Sequence, residues 1–151
     1  MGVSFVLRWH ATYVRDMLFA TRVYDMALKP ASISITMHDD VTCIQLVGDI
    51  VVEEHVVDKI GAAASSVIEN NTLPKLIISF KDVSYVASAV IGTMISISHR
   101  LTDKGTRLRI CDVNAHIRGV CEVTRITDLF DFYQSFDDAL ASLADADDVS
   151  Q

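Results

Sequence analysis

The chain has 151 residues, half of them hydrophobic and 22% charged, with a net charge of −7. That length fits one domain, able to bury roughly 70% of its extended surface without a disulfide or metal staple. The balance excludes a disordered chain, no apolar run approaches the ~20 residues of a membrane-spanning helix, and the acidic excess argues against nucleic acid as a partner.

Residues 1–31 read as an N-terminal extension. It carries Arg8, Arg15, Arg22 and Lys29 against Asp16 and Asp25, and its apolar stretches are too broken by Arg for a signal peptide. Val6, His10, Tyr13, Met17, Ala20 and Tyr24 step by three and four. That spacing fits an amphipathic helix packing on a partner or a membrane surface, and a loosely ordered extension fits the composition equally. Met17 and Met26 are alternative starts, so the extension could also be a start-site artefact.

"SISITMHDDVTCIQLVG" follows as two β-rich runs around Asp39 and Asp40, a hairpin signal with Gly48 as its stop. Between Val52 and Glu69, Val56, Val57, Ile60, Ala63, Ala64, Val67 and Ile68 recur at helical spacing until "NNTLP" breaks the pattern. "KLIISF" is apolar on both faces, as an inner strand would be.

In "DVSYVASAVIGTM" the period then changes: Val90, Ile91, Met94, Ile97 and Leu101 mark a helix that Gly105 stops. Ser88 lies at its start and, by residue type, reads as its N-cap. Thr93, Ser96, Ser98 and His99 predict a solvated or partner-facing side. "TRLRICDV" is the next strand, Asn114 the cap of a short helix with Ile117, Val120 and Cys121, and "LFDFY" a last strand. Ser135 and Asp138 form a capping pair for a closing helix, and an acidic tail occupies 146–151.

This order predicts an α/β domain at 32–145: a mixed, mostly parallel sheet of four to five strands, opening with a hairpin and packed with about four helices. Cys43, Cys111 and Cys121 lack C-x-x-C spacing and read as buried thiols in a reducing cytoplasm. The five histidines show no H-E-x-x-H pairing, and neither phosphate-cradling glycine motif occurs. No catalytic residue, metal site or cofactor is expected.

In order and spacing, "LVGDI", "KLIISF", "DVSYVASAVIGTM", "DKGTRLRICDV" and "ITDLFDFYQSFDDAL" together make the chain resemble the STAS domain, the fold of anti-sigma factor antagonists that is also attached to sulfate transporters. The resemblance spans Ser32 to Leu143. It implies a STAS fold and a regulator, not an enzyme, that binds a serine kinase of the anti-sigma type and loses it when a serine is phosphorylated. That acceptor maps onto Ser88, and the implied partner surface onto Asp49, Ala87, Ser88, Ala89, Gly92, Thr93 and Ser96. The family's Asp-Ser-Ser-Gly pattern is altered, with Ala87 in place of the Asp, Ala89 of the second serine and Val90 of the Gly. Its acid after the second strand is replaced by Val51, with Asp49 two residues away, and Arg125 stands where a glycine is usual. A scaffold or accessory subunit without phosphorylation, a small-ligand binder within the same fold, and a homodimer remain open.

Overall fold

The computed structural model describes residues 30–149; the extension proposed for 1–31 lies, up to residue 29, outside them. The hairpin strands are β1 (Ser32–His38) and β2 (Val41–Val47), followed by a short β3 (Ile50–Val51) and helix α1 (Glu54–Asn70). Then come β4 (Lys75–Ser79), β5 (Tyr85–Val86), α2 (Ser88–Asp103), β6 (Leu108–Cys111), α3 (Ala115–Val123), β7 (Phe130–Tyr133) and α4 (Phe136–Val149).

The main sheet has the order β1-β2-β4-β6-β7. Only β1 and β2 run antiparallel, because a two-residue turn at Asp39 and Asp40 joins them; each later neighbour is parallel and is reached through a helix. Asp39 takes the left-handed conformation that this tight turn needs, at φ 55°. The predicted mixed sheet is therefore present with five strands and four helices among the described residues.

Alternation along the strands builds two cores. Ile44, Leu46, Leu76, Ile78, Leu108 and Ile110 meet the buried stripes of α1 (Val56, Ile60, Ala64, Ile68) and α2 (Val90, Met94, Ile97, Leu101), together with Ile117 of α3. On the opposite face Val41, Cys43, Ile77 and Cys111 meet Ala139 and Leu143 of α4. β4 is buried from Leu76 to Ser79 because helices cover it on both sides. Ala31, just before β1, is also part of the larger core and packs on Gly48, whose φ is 116° and where a Cβ would sit 3.1 Å from the Ala31 Cα.

The helix ends follow local chemistry. Asn114 accepts the Ile117 N–H at 2.8 Å, and Ser135 accepts the Asp138 N–H at 3.1 Å while donating to its carboxylate at 2.8 Å. After α2 the Thr106 N–H bonds the Leu101 carbonyl and the Gly105 N–H the Thr102 carbonyl, with Gly105 at φ 78°. After α3 the same pair of bonds forms from Ile126 to Cys121 and from Arg125 to Glu122, with Arg125 itself at φ 57°. The arginine thus occupies a left-handed position that glycine fills more cheaply.

Ser98 departs from expectation. It is buried rather than solvated, and its hydroxyl donates to the Leu129 carbonyl at 2.5 Å. It sits four residues after Met94, on the core stripe, where a polar group is tolerated because it is bonded.

Candidate functional site

The segment before α2 is held by a ladder separate from the main sheet. β3 and β5 pair in parallel, Ile50 with Tyr85 and Val51 with Val86. The Asp49 carbonyl accepts the N–H groups of Ser84 (2.8 Å) and Tyr85 (3.2 Å), the Ser84 hydroxyl bonds the Asp49 carboxylate, and the Ala87 N–H reaches the Val51 carbonyl at 2.9 Å. From the other side Asn114 donates its amide to the carbonyls of Val83 (2.9 Å) and Ser84 (3.1 Å). One side chain therefore caps α3 and ties α3 to the segment that presents Ser88.

Ser88 is the first residue of α2, and the N-cap is Ala87, in extended conformation with no side-chain cap bond. This corrects the capping role read from residue type: the helix begins one residue earlier than a Ser88 cap requires. The Ser88 side chain is exposed and makes no hydrogen bond among the described residues. Its position at the first turn leaves backbone N–H groups unpaired beside it.

An apolar groove of about 340 Å³ opens beside Ser88, between α2 and α3. Ile91, Ile95, Ile117 and Val120 line its walls, Tyr85 and Val86 its end, with Ser88, Gly92, His116 and Thr124 at its margins. The rings of Tyr85 and His116 stack, 6.0 Å between centroids. No Lys, Arg, Asp or Glu lines the groove, and α2 carries none from Ser88 to His99. Tyr85 and Val120 in its lining remain exposed, and Val123, three residues further along α3, is 85% exposed. An uncharged face with exposed apolar groups has the composition of a protein-interface core more than of open surface.

The residues singled out from the sequence separate on this surface. Ser88 and Gly92 line the groove, and Asp49 joins the same segment through Ser84. Ala89 and Ser96 lie exposed on α2, outside the groove lining, and half-buried Thr93 turns toward α1, its methyl 3.8 Å from where a Gly61 Cβ would stand. A Cβ on Gly92 would meet nothing within 4 Å, so packing does not demand glycine there. Tyr85, His116 and Val120 were not anticipated as site residues. The available signal was Val120 and Val123 lying off the Ile117–Cys121 stripe of α3.

Among the described residues no cluster of His, Cys, Asp or Glu could hold a metal ion, and no helix is long and apolar enough to cross a membrane. The three thiols are free and buried. Burial pushes Cys43 up to about 11 and Cys111 up to about 12, the latter helped by the neighbouring Asp112 carboxylate, so neither is a nucleophile at neutral pH.

A sequence model of the STAS domain matches residues 32–139. The chain belongs to the STAS domain family. Similar solved structures include an anti-sigma factor antagonist (STAS) domain protein from Planctomyces limnophilus, with TM-score 0.67 and 21% identity over 76% of this chain and 99% of that one. The Bacillus cell fate determinant SpoIIAA in its phosphorylated form matches with TM-score 0.61 and 17% identity over 74% of this chain and 99% of that one. A murine Solute Carrier 26 anion transporter shares the fold with TM-score 0.54 and 10% identity, over 82% of this chain and 23% of the transporter. At these identities the likeness is one of fold, and the part of the transporter that this chain matches is 23% of its length.

Proposed function

We propose that this STAS protein is an anti-sigma factor antagonist-like regulator, which binds a serine kinase of the anti-sigma type over the start of α2 and the groove beside it. Phosphorylation of Ser88 is the release step. The observation that carries this reading is an exposed, unbonded serine hydroxyl at the margin of an uncharged apolar groove. A kinase can reach such a hydroxyl without unfolding the domain.

Phosphorylation adds about −1.5 to −2 charges and three acceptor oxygens. Unpaired N–H groups and the positive end of the α2 dipole accommodate them, so the domain stays folded. A partner whose apolar side chains fill the groove then meets a desolvated charge that its contacts cannot pair, and it dissociates without any refolding here. The surface on this reading comprises Asp49, Ala87, Ser88, Ala89, Gly92, Thr93 and Ser96.

Intact-mass measurement after incubation with the cognate kinase and ATP tests the switch. One added phosphate, lost in Ser88→Ala, is expected; an unchanged mass with an active kinase refutes it. A second reading, a constitutive scaffold or accessory subunit, is favoured by one feature: Ala87 supplies neither the family's acid nor a cap. On that reading Ser88→Ala leaves complex formation intact, whereas deleting residues 1–30 disrupts it.

A further inference from the structure

The two edges of the sheet are built differently. β7 is four residues long and carries Asp131, ion-paired with Arg107 at 2.8 Å, a charge that discourages further pairing. β1 is seven residues, "SISITMH", with no charge and no proline, and no strand among the described residues pairs with its outer side. Ile35 is 51% and Met37 64% exposed. A long, uncharged, apolar edge is a template for strand addition unless something occupies it.

The backbone specifies which groups are free. A two-residue turn makes its flanking residues, His38 and Val41, a hydrogen-bonded pair, and such pairs alternate along an antiparallel ladder. Ser32, Ser34, Thr36 and His38 therefore exchange hydrogen bonds with β2, whereas Ile33, Ile35 and Met37 direct their N–H and C=O groups outward. These outward residues are also the apolar ones.

We infer that β1 pairs with β1 of a second copy, antiparallel about a dyad through Ile35, to form a continuous ten-stranded sheet. In this register Ile35 faces its own counterpart and Ile33 faces Met37 of the other copy, and all three outward N–H groups of each strand find outward carbonyls. Odd residues meet odd residues, so Ile33, Ile35 and Met37 of both copies come together on the face that α1 covers. Ser34 meets Thr36 on the other face, a favourable cross-strand pair. No like charges meet along the ladder. The acidic turns at Asp39 lie at its opposite ends, about 27 Å apart at ~3.4 Å per residue. A second copy fits because the edge is complementary to itself in hydrogen bonding, side-chain face and charge. The inference is independent of the Ser88 switch.

The full chain tests this. Sedimentation equilibrium should show a dimer. Ile35→Pro, which removes an outward N–H but no bond to β2, should shift it to monomer with the thermal transition retained. Ile35→Cys should form an intermolecular disulfide under mild oxidation, since directly opposed hydrogen-bonded residues have Cα atoms about 5.5 Å apart. Ser34→Cys should not, because its own counterpart is offset by two residues, about 8 Å away and beyond disulfide reach. A chain that is monomeric at every concentration, as it would be if residues 1–29 covered the edge, overturns the inference. So does a dimer that survives Ile35→Pro and fails to cross-link through Ile35→Cys.

Discussion

Replacing Asn114 by alanine removes three bonds that connect α3 to the segment presenting Ser88. The cap bond to the Ile117 N–H contributes ~1 kcal/mol. The part-buried bond to the Val83 carbonyl contributes another ~1 kcal/mol, and the exposed one to Ser84, where water can substitute, only a few tenths. Asn114→Ala should therefore destabilise the protein by about 2 kcal/mol, lowering the thermal midpoint by about 4–8 °C for a chain of this size. Asn114→Asp keeps the acceptor and loses both donors, so it should lie between the two, near 1 kcal/mol. Urea unfolding at constant m gives the stabilities, and amide exchange at Ser84 to Ala87 should accelerate in both variants. If Asn114→Ala falls within about 0.5 kcal/mol of the parent, or if Asn114→Asp leaves exchange in that segment unchanged, the tie between α3 and the Ser88 segment is not structural.

Arg125→Gly should stabilise the protein by about 0.5–1 kcal/mol, because it relieves a left-handed residue at the end of α3 while keeping both capping bonds; a loss of stability by urea unfolding would show that the arginine side chain contributes more than its backbone costs. The buried thiols set an alkaline limit. Their folded pKa values, about 11 for Cys43 and about 12 for Cys111, lie above the unfolded value near 9, so the unfolded chain releases protons first as pH rises. The contribution of these two thiols should be constant below pH ~8.5 and fall from about pH 9 toward 11–12, by at most ~1.4 kcal/mol per unit for each thiol, and Cys43→Ser with Cys111→Ser should flatten that fall in pH-dependent unfolding.

Features whose chemistry is local were legible in the sequence. Gly105, Asn114 and the Ser135–Asp138 pair act within a few residues, and each does in the structure what its type and spacing predict. The strands and helices were legible because burial imposes their periods. Ser98 was misread because polarity concealed that it continues the stripe from Met94, and only the Leu129 carbonyl, distant in sequence, makes its burial tolerable. The β3–β5 ladder left no local signature: two residues pair with two others 35 positions on, too short a match to impose a period. The groove was half visible, since the α2 side could be placed from the family pattern. Its α3 side depends on how two helices pack, which no short stretch encodes.

The start of α2 also sets helix stability against surface charge. Ala87 is a cap position filled by a residue that cannot cap, with extended backbone already suited to one that can. Aspartate there would accept a free N–H of the first turn, favour the helix dipole and add ~1 kcal/mol of stability, and a single nucleotide separates its codons from those of alanine. Folding alone would thus push residue 87 toward the acid that the family usually carries. On the reading proposed above, alanine here keeps that extra charge off the surface against which the partner docks.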